Sequence, residues 1–137
     1  MKSRFRVVCV AFCFGVIGCG MSTPEYSIAV RNATGKEIDH AEVRFGEFRD
    51  KFGVLIIGAT ATHAGMQEPI PEVAVLQWQD EQGKWHRSEA RVKRALPKGF
   101  RDDEIIFEIR PGNIVVVTVE PRPGRGVIVI SRTPSAR

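Results

Sequence analysis

Short runs in which apolar and polar residues alternate, each broken by glycine, proline, asparagine or aspartate, constrain this chain more than any other feature. Side chains on a strand point to opposite faces with a period of two, so runs of this kind suit half-buried strands, and no window carries a helical period. Residues 26–30 (Tyr-Ser-Ile-Ala-Val) alternate, and residues 32–35 (Asn-Ala-Thr-Gly) supply a turn with glycine where positive φ is tolerated. Residues 41–45 alternate next, and residues 54–57 form an apolar run suited to a buried strand. Residues 73–78 and 85–94 flank Asp-Glu-Gln-Gly at 80–83, a hairpin loop. Residues 105–109 and 114–119 flank Pro111, Gly112 and Asn113, which suit a type II turn, and residues 127–130 make a last strand. About eight short strands at this spacing predict an all-β fold, a single antiparallel β-sandwich with either immunoglobulin-like or transthyretin-like topology.

Composition matters for what it excludes. A content of 43% hydrophobic and 26% charged residues is that of an ordinary globular domain, not of a disordered or collagenous chain. The formal charge of +4 is local in origin. Lys2, Arg4 and Arg6 crowd the N-terminus, and Arg122, Arg125, Arg132 and Arg137 follow the last acid, Glu120. Between them residues 19–120 are net acidic, so the charge is not the footprint of a nucleic-acid binder.

The first residues are organised differently from the rest. A cationic start is followed by an apolar run over residues 7–17 and then by Gly18, Cys19 and Gly20, the three parts of an export signal. A membrane-spanning helix needs about 20 apolar residues, so the run is short for a permanent anchor. Val16-Ile17-Gly18-Cys19 resembles the lipobox of bacterial lipoproteins, which is cut by signal peptidase II before a diacylglycerol-modified cysteine. It departs from the commonest pattern in having Val and Ile at its first two positions. The resemblance implies a covalent lipid on Cys19, no other cofactor, a membrane attachment and, with Gly20 rather than Asp after the cysteine, the outer membrane facing the periplasm. The alternative is ordinary cleavage after Gly20, which releases a secreted protein.

Cysteine usage fits the lipid. Cys9 and Cys13 fall within the signal, leaving Cys19 alone in an exported chain, where an unpaired cysteine calls for an explanation. Acyl chains contribute about 0.8 kcal/mol per buried methylene, enough for several together to hold a protein on a bilayer. The expected organisation is signal peptide over 1–18, acylated cysteine and tether over 19–25, sandwich over 26–132 and frayed tail over 133–137. A tether of six residues reaches at most about 20 Å, so residues 25–31 are expected to face the membrane.

No catalytic constellation stands out. His86 and Ser88 share a strand face, but Glu89 lies on the opposite one and cannot orient the imidazole. Asp102, Asp103 and Glu104 read as a solvated turn, and the glycines of residues 121–126 lack the strand and helix of a phosphate loop. His40, His63 and His86 are conceivable metal ligands but come from three separate segments without ligand spacing. The reading is therefore of a non-enzymatic envelope lipoprotein that binds a protein partner or serves a structural role. A periplasmic metal or small-ligand binder using His63 with His40 or His86 is the alternative, and a hydrolase comes last.

Candidate partner contacts come from two places. In the simplest hairpin register Trp78 lies opposite Trp85, on a face shared with Arg87, Glu89, Arg91 and Lys93. Aromatic anchors among arginines suit a recognition surface. A bulge at Gly83 would shift the parity and send one or both tryptophans into the core, a reading that Leu76 supports. Residues 58–71 show no strand alternation and are read as a binding loop carrying His63.

Overall fold

The computed structural model describes residues 25–122. The signal segment, Cys19, the strand expected over 127–130 and the tail lie outside them. In chain order come β1 (Tyr26–Asn32), β2 (Ile38–Phe45), β3 (Phe48–Leu55), β4 (Thr60–Met66), β5 (Val73–Gln79), β6 (Trp85–Arg91), the one-turn helix α1 (Val92–Ala95), β7 (Glu104–Arg110) and β8 (Ile114–Glu120). They form two four-stranded sheets, β4-β1-β7-β8 and β3-β2-β5-β6, packed as a β-sandwich. No helix among the described residues is long and apolar enough to cross a membrane.

Strand direction reverses at every connection. Odd strands run one way and even strands return, so β1 and β7, both odd, pair in parallel while the other five pairings are antiparallel. The expected antiparallel β-sandwich is the one that forms, with this single parallel pairing inside it, a long-range neighbour that leaves no trace in local alternation. The same parity gathers the turns over 33–37, 56–59, 80–84 and 111–113 at one end. Residues 25 and 122 lie at the other, called here the near end because a tether at Cys19 would enter there.

Inward side chains supply the core. Ile28, Val30, Val43, Phe45, Leu76, Trp78, Ile105 and Phe107 are fully buried. Burying one such side chain is favourable by about 1.5–3 kcal/mol, so these residues decide which face of each strand turns inward. Phe45 meets Phe107 with ring centroids 6.2 Å apart and Tyr26 at 6.1 Å. β1 is a central strand, and Tyr26–Val30 within it are buried. On its outer side Ala29 and Ile106 are excluded from solvent, and the Arg31–Glu120 ion pair, 2.9 Å, bridges β1 to β8 across β7 on that face.

Four expectations are corrected. Residues 54–57 are not a buried strand: Leu55 ends β3 in the core, but Val54, Ile56 and Ile57 are exposed, the last by 65%. Ile56 and Ile57 lie in a turn, which has no inner face, and Val54 lies in the edge strand β3, so apolar character alone did not bury them. Residues 58–71 are not a loop, because Thr60–Met66 forms β4 against β1. Small side chains hid a strand whose hold is backbone pairing. The strand expected to continue to Arg94 stops at Arg91, where α1 begins. Glu104 is no solvated turn residue: it opens β7 and is buried, with Oε1 lacking a hydrogen-bond partner among the described residues.

Candidate functional site

The hairpin of β5 and β6 decides the fate of the tryptophans. Trp85 pairs with Gln79, and His86 with Trp78, so the loop is five residues, 80–84, rather than four. Gly83 takes φ 73° and its N–H donates to Asp80 O, while Asp80 Oδ1 accepts from the N–H groups of Gln82 and Lys84. One added residue moves the two indoles to opposite faces. Trp78 is 1% exposed and belongs to the core, correcting its place among the partner contacts, whereas Trp85 is 56% exposed. Arg87, Glu89 and Arg91 alternate with the inward His86, Ser88 and Ala90, so they share the outer face with Trp85.

Register extends that face across the sheet. Lys51, Glu42, Gln77 and Arg87 lie in one row, and Arg49 and Arg44 in the next. Glu42 is nearly buried, and Arg49 grips it through two hydrogen bonds of 2.7 Å while Arg44 adds one of 3.2 Å. The hydrogen-bonded Arg49 guanidinium holds the Glu42 carboxyl below the usual carboxylate range, Arg44 adds to this, and burial opposes it. Both arginines are thereby fixed in place on the surface.

Between these groups and Trp85 the face is concave. A trough of about 310 Å³ is lined by His40, Glu42, Arg49, Lys51, Gly53, Gln77 and Trp85. Gly53 opens it, since it has φ 70° and nothing stands within 4 Å of where a Cβ would be. Irregular pairing of β2 on either side of Ala41 accompanies the left-handed φ of 51° at His40, an uncommon conformation for a residue with a side chain. His40 Nδ1 lies 3.1 Å from Asp39, and its ring meets Trp85 edge-on at 5.9 Å.

The three histidines stay apart, each against its own aspartate. His63 belongs to β4, not a loop, and its Nδ1 reaches Asp50 on β3 at 2.8 Å with Phe48 beside it, linking the edges of the two sheets. There it braces the two sheets, with its side chain still 41% exposed. His86 stacks on Trp78 at 5.7 Å and bonds Asp80 at 2.7 Å in a cleft of about 270 Å³ between three far-end turns. Among the described residues no three His, Cys, Asp or Glu side chains are grouped to hold a metal ion, so His63 shares no such site with His40 or His86.

Apolar exposure is concentrated at the far end. Of the six exposed large hydrophobics among the described residues, Val54, Ile56, Ile57, Trp85 and Ile114 lie in or beside its turns, and Val73 lies near the other end. Asn32 knits this end together. Its buried Nδ2 donates to the carbonyls of Lys36, Leu55 and Ile56, and its Oδ1 accepts from Thr34 N and Oγ1.

Sequence reasoning missed Arg49, Lys51, Gln77 and the apolar turn. A signal was present in Phe45-Gly46-Glu47-Phe48, where glycine at the first of two central positions marks a tight hairpin. Gly46 does take φ 63°, and Phe45 pairs with Phe48.

No family model matches the sequence, and no curated protein is similar to it. Among solved structures the chain is similar to a protein from Eubacterium rectale determined by NMR. The two share 11% identity and a TM-score of 0.49 over 80% of this chain and 100% of that one.

Proposed function

We infer that this chain is a bacterial envelope lipoprotein, acylated at Cys19, whose sandwich docks a partner protein through its far end and the adjoining Trp85 face. The observation that carries the reading is the distribution of exposed apolar side chains: among the described residues, five of the six large ones gather at the end opposite residue 25. Apolar surface left in water favours association, and aromatic and arginine side chains are enriched in contact surfaces. A lipid at Cys19 would hold the near end against the outer membrane and present the far end to the periplasm. Binding rather than catalysis is favoured because the histidines serve a sheet brace, a turn anchor and a surface contact.

Two measurements test it. Radiolabelled palmitate should enter the native chain and not the Cys19→Ala variant. A photo-crosslinking residue at Ile57 or Trp85 should trap one discrete partner in intact envelopes, and the same residue at Lys98, near the other end, should not. Equal trapping from Lys98, or none from Ile57 and Trp85, would remove the docking reading.

A further inference from the structure

We propose that the trough beside Trp85 receives an extended acidic segment of the docking partner, with carboxylates at Lys51 and Arg87 and an apolar side chain between them. The inference rests on the docking reading and gives its partner a chemistry. The outer face of the β3-β2-β5-β6 sheet carries Arg44, Arg49, Lys51, Arg87 and Arg91 against three acids, Asp39, Glu42 and Glu89, of which Asp39 lies against His40. Glu42 is already committed to Arg49 and Arg44. Lys51 and Arg91 have no ion-pair partner among the described residues, and Arg87 holds Glu89 at 3.3 Å with both side chains in solvent. Such a pair is weak and yields readily to a partner's carboxylate.

Geometry selects the form of that partner. Lys51 and Arg87 stand three strand spacings apart, roughly 14 Å. Residues four apart on an extended chain cover about the same distance, with the residue midway pointing to the same side. An acid, an apolar residue and an acid at alternate positions therefore match Lys51, the trough and Arg87. The concavity beside Gly53 admits a side chain, whereas a plane of lipid headgroups would rest on its rim. His40, held in its left-handed conformation against Trp85, completes the wall, and backbone strain of this kind tends to gather at binding sites.

The test uses the acylated chain in detergent micelles, with indole and amide N–H resonances followed by NMR. The probe is an acetylated, amidated pentapeptide, Glu-Gly-Leu-Gly-Glu. It should shift the Trp85 indole and the Gln77 amide saturably and leave the Trp78 indole in place. Lys51→Gln should weaken binding by about fivefold, the factor for losing one exposed ion pair, and Gln-Gly-Leu-Gly-Gln should not bind. No saturable shift, an undiminished one in Lys51→Gln, or a response only to oligogalacturonate or to anionic phospholipid vesicles would overturn the proposal. Failure of the peptide with Ile57 crosslinks intact would discard the acidic segment and keep the docking. Loss of the crosslinks would discard the docking itself.

Discussion

Replacing Asn32 with alanine should cost more stability than removing most apolar side chains of the same size. The residue is fully buried, and its amide meets three backbone carbonyls, Lys36 at 2.6 Å, Leu55 at 2.8 Å and Ile56 at 3.2 Å. Thr34 donates to the other side of the amide at 3.0 and 2.7 Å. A net hydrogen bond is worth about 1 kcal/mol, and a buried group left unpaired costs about 1–3 kcal/mol. The Leu55 carbonyl is the one wholly enclosed, while the others lie near enough to the turn surface to regain water. One orphaned carbonyl and two or three lost bonds give about 4 kcal/mol, a large share of the stability of a domain this size. Urea unfolding followed by Trp78 fluorescence at neutral pH measures it. Asn32→Asp should be worse, because it turns a carboxylate oxygen toward three carbonyls. The deficit should shrink on acidification, when a protonated acid donates one bond. A loss below about 1 kcal/mol for alanine, or an aspartate variant indifferent to pH, would refute the reasoning.

Trp78→Ala should lose about 3–5 kcal/mol, while Trp85→Ala should stay within about 0.5 kcal/mol of the native chain. Equal damage by thermal melting would mean that the hairpin register is wrong. Burial, and secondarily the Glu68 carboxylate, push the Tyr26 phenol up to about 12. The stability it contributes should be intact below pH about 10 and vanish as pH climbs toward its folded value. It is the sole tyrosine, so the tyrosinate absorbance band reads it directly, and titration near its ordinary value in the folded chain would exclude this. Asp80 beside His86, Glu42 beside Arg49, Glu108 beside Arg110 and Glu120 beside Arg31 are all held below the usual carboxylate range. Their contribution is full above pH about 4 and is lost as pH falls through the lowered values, so the melting temperature should drop in acid and drop less in Glu42→Gln. A flat acid limb would contradict it.

Legibility in the sequence followed the range of the interaction. Strands bounded by Gly35, Gly83 or Gly112 were readable because the turn chemistry and the alternation sit in the same few residues. β3 was not, since its apolar Phe48 and Phe52 are separated by Arg49, Asp50 and Lys51 and followed by Gly53. β4, with small side chains, is held by β1, some thirty residues earlier, and no local pattern announces such pairing. The tryptophans turned on a single extra loop residue, the kind of detail that flips a whole face. Asn32 and Thr34 read as a turn and proved to be one, but the three carbonyls that Asn32 gathers come from two connections, which is tertiary information. The trough was legible only in its Trp85 wall, because Lys51 and Arg49 arrive from another hairpin.

The division between core and display follows from the reversal of strand direction. With every connection turning the chain around, an even number of strands brings the start of β1 and the finish of β8 to the same end, and Arg122 ties them there by donating to Ser27 Oγ and Tyr26 O. The four turns between each odd strand and the next must then share the opposite end. They hold no central core positions, so Ile56, Ile57 and Ile114 can change without opening a cavity, and selection on contact surface can act on them apart from selection on folding. Asn32 is the exception, because the same amide terminates β1 and fixes the carbonyls on which Ile56 is mounted. A substitution there should therefore disturb docking and stability together, whereas substitutions at Ile57 or Trp85 should separate them.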